Sequence, residues 1–353
     1  MAVGNAAHPV TPETWWLTRF VLLRWLGLVY LVAFLCAAWQ NRALIGSDGL
    51  TPVAPFLQAV AGAHHGFWAL PSLFWWGCSD TALDAVAWTG VALSALLLLG
   101  LANSIQLAVL WALYMSIVHV GQDWYSFGWE TQLLETGFLA IFLVPLWDVR
   151  PFPRVAPPVP VLWLFRWLGF RIMLGSGLIK LRGDECWRTL TCLDYHFETQ
   201  PNPNPVSRSL HFLPHPILHF GVLVNHFVEL VAPWCSWARR RWRHFGAVCM
   251  IGFQFFLIVS GNLAFLNWLT IVPFLALLDD SFWARILPRN LVAQAERAAA
   301  QAQPSQGQTR AAWALVVLVC VLSIQPVANL LSPDQAMNTS FDPFNLVNTY
   351  GAF

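Results

Sequence analysis

Charge is what this sequence has least of. Only 10% of its 353 residues are Asp, Glu, Lys or Arg, where soluble domains carry about 25%. A formal net charge of +1 supplies no field for steering a polyanion, so nucleic acid is excluded as a partner. The seven cysteines form neither a C-x-x-C redox pair nor a zinc pattern. His64-His65 has no carboxylate or Cys at ligand spacing, so no metal and no cofactor is expected. A G-x-S-x-G elbow, a G-x-x-x-x-G-K-[ST] phosphate loop, a dinucleotide fingerprint and H-E-x-x-H are all missing. So is a cleavable secretory signal: the first apolar run, 16–39, is too long and carries Arg19 and Arg24 inside it. No fixed-period repeat is visible.

What the chain has instead is apolar and aromatic. Hydrophobic residues make up 57%, with 21 tryptophans, a residue that gathers where bilayer meets water. A helix needs roughly 20 apolar residues to cross the hydrocarbon core. About nine stretches approach that length: 16–39, 82–101, 103–121, 129–147, 160–180, 217–237, 245–261, 263–278 and 311–330. The reading is all-α, a polytopic transmembrane helical bundle over residues 1–330. The seventh and eighth stretches, parted only by Gly261-Asn262, are short enough for a re-entrant hairpin. Residues 67–76 are too broken to span and are expected along an interface.

Orientation follows from basic residues in short loops. Arg150 and Arg154, then Arg239-Arg240-Arg241 with Arg243, then Arg285, Arg289, Arg297 and Arg310 fall on one side. That side is cytoplasmic, which makes the N-terminus cytoplasmic and the C-terminus lumenal or periplasmic. Outside lie 40–81, 122–128, 181–216 and an outward-facing segment 331–353 with the sequon Asn338-Thr339-Ser340. The 181–216 loop holds Pro201, Pro203, Pro205, Pro214 and Pro216, so it is no continuous helix. Residues 290–310 read as a fraying helix leading into a flexible linker.

Ionisable groups inside a span are costly and face the bundle interior or a wet cavity. His119, Asp123, Glu130, Glu135, Arg171, Asn225, His226 and Glu229 are the candidate buried polar set. Asn225, His226 and Glu229 share one helix face by their spacing. Together these groups are expected to line an outward polar cavity beneath the 181–216 loop. The plainer alternatives are that Glu135–Arg171 and His226–Glu229 are register-fixing pairs and that Lys180 snorkels from a helix end. Arg19 and Arg24 read as interface anchors. Cys186 and Cys192 sit in an oxidising loop, either bridged or as two free thiols.

The spelling of several segments goes further. Gly175-Ser176-Gly177-Leu178-Ile179-Lys180-Leu181-Arg182-Gly183-Asp184-Glu185-Cys186-Trp187 opens the stretch that ends Asp194-Tyr195-His196-Phe197-Glu198-Thr199-Gln200-Pro201. Asn204-Pro205, Asn225-His226-Phe227-Val228-Glu229-Leu230, Ser260-Gly261-Asn262-Leu263-Ala264-Phe265 and Val347-Asn348-Thr349-Tyr350-Gly351-Ala352-Phe353 follow in order. The chain resembles the lipase maturation factor family over nearly all its length. That resemblance implies an endoplasmic-reticulum membrane protein, chaperone-like, without catalysis of its own, which helps secreted lipases fold and assemble. Its partners would be membrane lipids and a secreted lipase client. The client-facing loop would then use Asp184, Cys186, Trp187, Cys192, Asp194, His196, Glu198, Pro201, Asn204 and Pro205. The chain stops about where the family's soluble carboxyl-terminal domain would begin, and its short-loop, Ala/Arg-rich style looks bacterial, which would place it in an inner membrane. A fainter similarity, Gly177-Leu178-Ile179-Lys180-Leu181 with Glu229-Leu230, is to the membrane domain of vitamin K-dependent gamma-carboxylases. It implies, as the alternative, a membrane enzyme with Lys180, His226 and Glu229 as catalytic residues.

Overall fold

The computed structural model describes residues 13–351; residues 1–12 of the bundle assignment and Ala352-Phe353 of the tail lie outside them. Among the described residues there is no β-strand, only an isolated antiparallel bridge between Ser340 and Asn348. The first half runs α1 (Trp16–Ile45), α2 (Val53–Gly62), a 3-10 turn at Leu73–Trp76, α3 (Asp80–Leu99), α4 (Ser104–Val120) and α5 (Gly128–Ile141). Then come α6 (Val159–Arg182), α7 (Glu185–Arg188), α8 (Cys192–Thr199), α9 (Pro205–His211) and α10 (His215–His226). α10 continues through a π-turn at Phe227–Val231 into a 3-10 stretch, Ala232–Trp237. α11 (Arg240–Ser260), α12 (Leu266–Leu275), α13 (Asp280–Trp283), α14 (Arg289–Ala300), α15 (Gln306–Leu322) and α16 (Ile324–Leu331) complete the chain.

Among the described residues six elements are long and apolar enough to cross a bilayer: α1, α3, α6, α10 extended to Trp237, α11, and α15 with α16. The other three expected spans are carried by shorter helices of 17, 14 and 10 residues, α4, α5 and α12. α5 ends ahead of Pro145, which could not continue it, and α12 runs through Pro273 and stops at Leu275, so both helices are shorter than their apolar stretches. Both are sheathed by neighbours, and Gln132 on α5 donates to Thr270 Oγ1 on α12 across 3.0 Å. The helical bodies are thus packed in protein, while Leu146-Trp147 beyond α5 and residues 262–264 ahead of α12 are exposed.

Local signals mark the helix ends. Ser79 and Asn103 accept N-terminal amides of α3 and α4. Gly100, at φ 113°, closes α3 in the left-handed region where a side chain would be strained. Among the described helices α1 and α3 share the most extensive contact. A Cβ at Gly90 would overlap the Phe34 ring, so only glycine lets these axes approach.

The two ends of the bundle differ. At one, Asp279 accepts from Arg240 (2.7 Å), Arg243 (2.9 Å) and His244 (3.1 Å), and Asp280 accepts three amides at the start of α1. Arg19 corrects the anchor reading. It is 1% exposed and donates to the Val155 and Pro153 carbonyls, because a proline-rich strand of chain leaves acceptors unpaired. Arg24 reaches the Gly100 carbonyl at 2.8 Å instead of lying free at an interface. The expected flexible linker is also corrected. α14 is regular to Ala300, α15 already begins at Gln306, and the Gln303 amide is tied to the Arg154 carbonyl at 2.8 Å. At the other end gather the 3-10 turn with its exposed Trp76, the 122–127 turn, the segment 183–214 and the tail 332–351.

Candidate functional site

The chain after α6 cannot stay helical through its prolines, and it breaks into α7, α8 and α9, each short. Two of the three carry a clear start signal. Asp184 accepts the Cys186 amide, and Asn204 accepts those of Val206 and Ser207 ahead of Pro205 at the first helical position. Cys186 and Cys192, Cα atoms 4.7 Å apart, are joined in a disulfide that fixes α7 against α8. Asn204 and Ser207 donate to carbonyls at the end of α11, Val259 at 2.6 Å and Ser260 at 2.8 Å. The three short helices are thus fastened as a roof.

Beneath the roof lies a cavity of about 1860 Å3, walled by α6, α10, α11, the start of α12 and the tail. Its lining is mostly apolar, and the exposed Phe220 and Phe256 carry it out to the lipid-facing surface. Near the roof the wall becomes polar. Lys180, 5% exposed, donates to Glu229 at 2.6 Å and to Asn225 at 3.0 Å, and its ammonium lies 4.8 Å from the Trp187 ring centre. Asn225 in turn donates to Glu229 at 3.0 Å. The π-turn, one residue wider than an α-turn, presents Glu229 to α6. Lys180 therefore does not snorkel; it is the cation of a buried, hydrogen-bonded pair.

His226 is half-buried and is not paired with Glu229, because the carboxylate is taken by the ammonium of α6. Its Nε2 donates instead to the Trp187 carbonyl at 2.9 Å. His196, on the roof, shares a hydrogen bond with Gln200 at 3.1 Å; burial, then the Lys180 charge, lower its imidazole below the ordinary value. Of the remaining loop candidates, Asp194 meets His215 and His219, while Glu198, Pro201 and Pro205 are exposed.

The tail closes a second polar cluster behind the cavity. Glu135 and Arg171, both deeply buried, form an ion pair. Glu135 also accepts the Asn348 amide at 3.0 Å and the Tyr350 hydroxyl at 2.7 Å. A Cβ at Gly175 would strike the Tyr350 carbonyl, so this glycine admits the tail. Glu130 is buried against the Tyr114 hydroxyl. His119 is half-buried, donating to the Pro71 carbonyl at 2.7 Å and accepting from Asn345 at 3.2 Å. Asp123 is corrected: it is exposed, because α4 ends at Val120 and the following 3-10 turn points it to solvent. Tyr350, Asn345, Gln132 and Asp279 were absent from the expected set. Only Asp279, a carboxylate at the end of an apolar run with arginines nearby in sequence, had a local signal.

The geometry offers a guest a long apolar wall with hydrogen-bonding atoms at one end. Comparison with known proteins adds the lineage. Residues 17–285 match a family model described as "Lipase maturation factor transmembrane domain". "Lipase maturation factor 1" of Bos taurus is 50% identical over 96% of this chain and 65% of its own length. The protein of that name from Homo sapiens is 48% identical over 99% of the chain and 65% of its own. "Lipase maturation factor 2" of Homo sapiens is 35% identical over 76% and 41%. The chain thus spans just under two thirds of the length of the first two relatives. No solved structure matches. A matched segment that runs from α1 through α13 takes in the roof, the helices that wall the cavity and the Lys180–Glu229 pair alike, and on that footing this integral membrane protein belongs to the lipase maturation factor family.

Proposed function

We propose that this protein is a membrane-embedded maturation factor that assists the folding and assembly of secreted lipases, with no catalytic step of its own. The observation that carries this reading is the identity near 50% with proteins named for lipase maturation, sustained across almost the whole chain. The cavity suits such a role, because a folding chain exposes apolar surface and a mostly apolar recess with a few oriented polar groups shelters it. The basic end faces the cytoplasm, and the roof and tail face the lumen of the endoplasmic reticulum, or the periplasm if the source is bacterial. A cysteine placed at the exposed Asn202 tests this sidedness. Labelling by an impermeant thiol reagent only after the cytoplasm is opened would reverse it.

The functional test is co-expression with a secreted dimeric lipase in cells lacking their own maturation factor. Active lipase should appear in the medium only with this chain. Gly252 lines the cavity and has no neighbour within 4 Å of a Cβ, so Gly252→Phe should fill the recess without disturbing the helix. Lipase activity should fall at unchanged abundance of the variant. Deleting 194–205 should also abolish co-purification of the lipase. Full lipase activity with Gly252→Phe, or co-purification with the roof deleted, would overturn the client-sheltering role.

A further inference from the structure

We propose that Asp194, His215 and His219 form a binding site for a zinc-type divalent transition-metal ion, which ties α8 in the roof to α10 in the cavity wall. His215 and His219 stand four residues apart on α10, so their imidazoles leave the same face one turn apart. Asp194 on α8 lies opposite them. Its Oδ1 is 3.0 Å from His215 Nδ1 and its Oδ2 is 3.4 Å from His219 Nε2. The three ligand atoms fall within 4.8 Å of one another. Ligands bound at about 2.0 Å in a tetrahedron are separated by roughly 3.3 Å. Each imidazole nitrogen already lies near that distance from one oxygen of the Asp194 carboxylate, and rotation of His215, whose side chain is 77% exposed, draws the three ligand atoms from within 4.8 Å toward it.

The donor set selects the ion. Two imidazole nitrogens and one carboxylate suit zinc, cobalt or nickel, whereas calcium and magnesium take mostly oxygen. Three protein ligands leave a fourth position for water, and the exposure of both histidines gives the ion a path in. The frame is rigid. The Cys186–Cys192 disulfide enters α8 two residues before Asp194, and Gly221 allows Leu193 to press onto α10. A bound ion would cross-link roof to wall at the point where the roof meets the cavity. This site stands independently of the lipase reading.

The test uses the full chain in detergent without a polyhistidine tag, stripped with a chelator and then titrated with zinc against a chromogenic indicator. One zinc per chain is expected. His219→Ala and the double variant His215→Ala/His219→Ala should weaken binding at least about 100-fold, while His64→Ala/His65→Ala should bind as wild type. Zinc should also raise the unfolding temperature of the wild type and not that of the double variant. Asp194→Asn, nearly isosteric, keeps the test valid if a histidine variant folds poorly, and it too should lose the zinc-induced shift. Sub-stoichiometric uptake by wild type, or equal uptake by wild type and Asp194→Asn, would overturn the site.

Discussion

Replacing Lys180 by Met leaves Glu229 as a carboxylate that is 4% exposed, with Asn225 as its remaining hydrogen-bond donor at 3.0 Å. Breaking a buried pair from one side costs about 3–5 kcal/mol, most of it the stranded charge and not the lost attraction. Glu229→Gln strands the ammonium instead. It keeps a contact with Asn225 and the Trp187 ring face, so its loss should be the smaller of the two. The double variant Lys180→Met/Glu229→Met removes both charges and restores apolar volume, and should recover most of the loss, to within about 1–2 kcal/mol of wild type. Thermal unfolding of the detergent-solubilised protein, followed as a double-mutant cycle, reads the coupling directly. A Lys180→Met protein as stable as wild type, or a double variant no better than the worse single one, would refute the pair as the strut between α6 and the π-turn. Lipase maturation measured on the same variants separates structure from chemistry. A catalytic lysine would lose activity in the stable double variant too, whereas a strut would not.

Three further outcomes follow from the geometry. Tyr350→Phe deletes one hydrogen bond to the Glu135 carboxylate and should destabilise the bundle by about 1.5–3 kcal/mol, read by thermal unfolding. Cys186→Ser opens a loop whose closing residues are six apart in sequence and should cost about 2 kcal/mol; dithiothreitol should lower the unfolding temperature of the wild type and leave that of the variant alone. Burial alone would raise the Asp279 carboxyl, but hydrogen bonds from His244, Arg240 and Ser281 hold it well below the ordinary value. A depressed carboxylate stabilises the fold above its unfolded pKa of about 3.9, and that contribution is lost as pH falls further. Unfolding temperature should therefore drop as the wild type is acidified below about pH 4, and Asp279→Asn should start lower and flatten the dependence.

Helix positions were legible because an apolar run long enough to span has few other folds open to it. Helix lengths were less so. The stretches 129–147 and 263–278 look uniform in hydropathy, but the helices are Gly128–Ile141, which ends ahead of Pro145, and Leu266–Leu275, which runs through Pro273. The polar set was largely legible as burial and poorly as pairing. Face logic along α10 couples His226 to Glu229, while the actual partner, Lys180, comes from a different helix, and the π-turn that aims Glu229 leaves no mark in composition. The tail was illegible for another reason. Asn345, Asn348 and Tyr350 lie in a segment without periodicity, and their partners are more than 200 residues away. His215 and His219 did carry a readable four-residue spacing, but their carboxylate is supplied by α8 and the link appears only in three dimensions.

The long reach from Glu135 to the tail has a consequence for biosynthesis. Asn348 follows Glu135 by 213 residues, and at ribosomal speeds of about 5–20 residues per second it emerges roughly 10–40 s later. Throughout that interval the Glu135 carboxylate has an incomplete hydrogen-bonding shell. The polar cluster is thus completed only after residue 350 has been made, and the cell's surveillance machinery meets it first as an unfinished one.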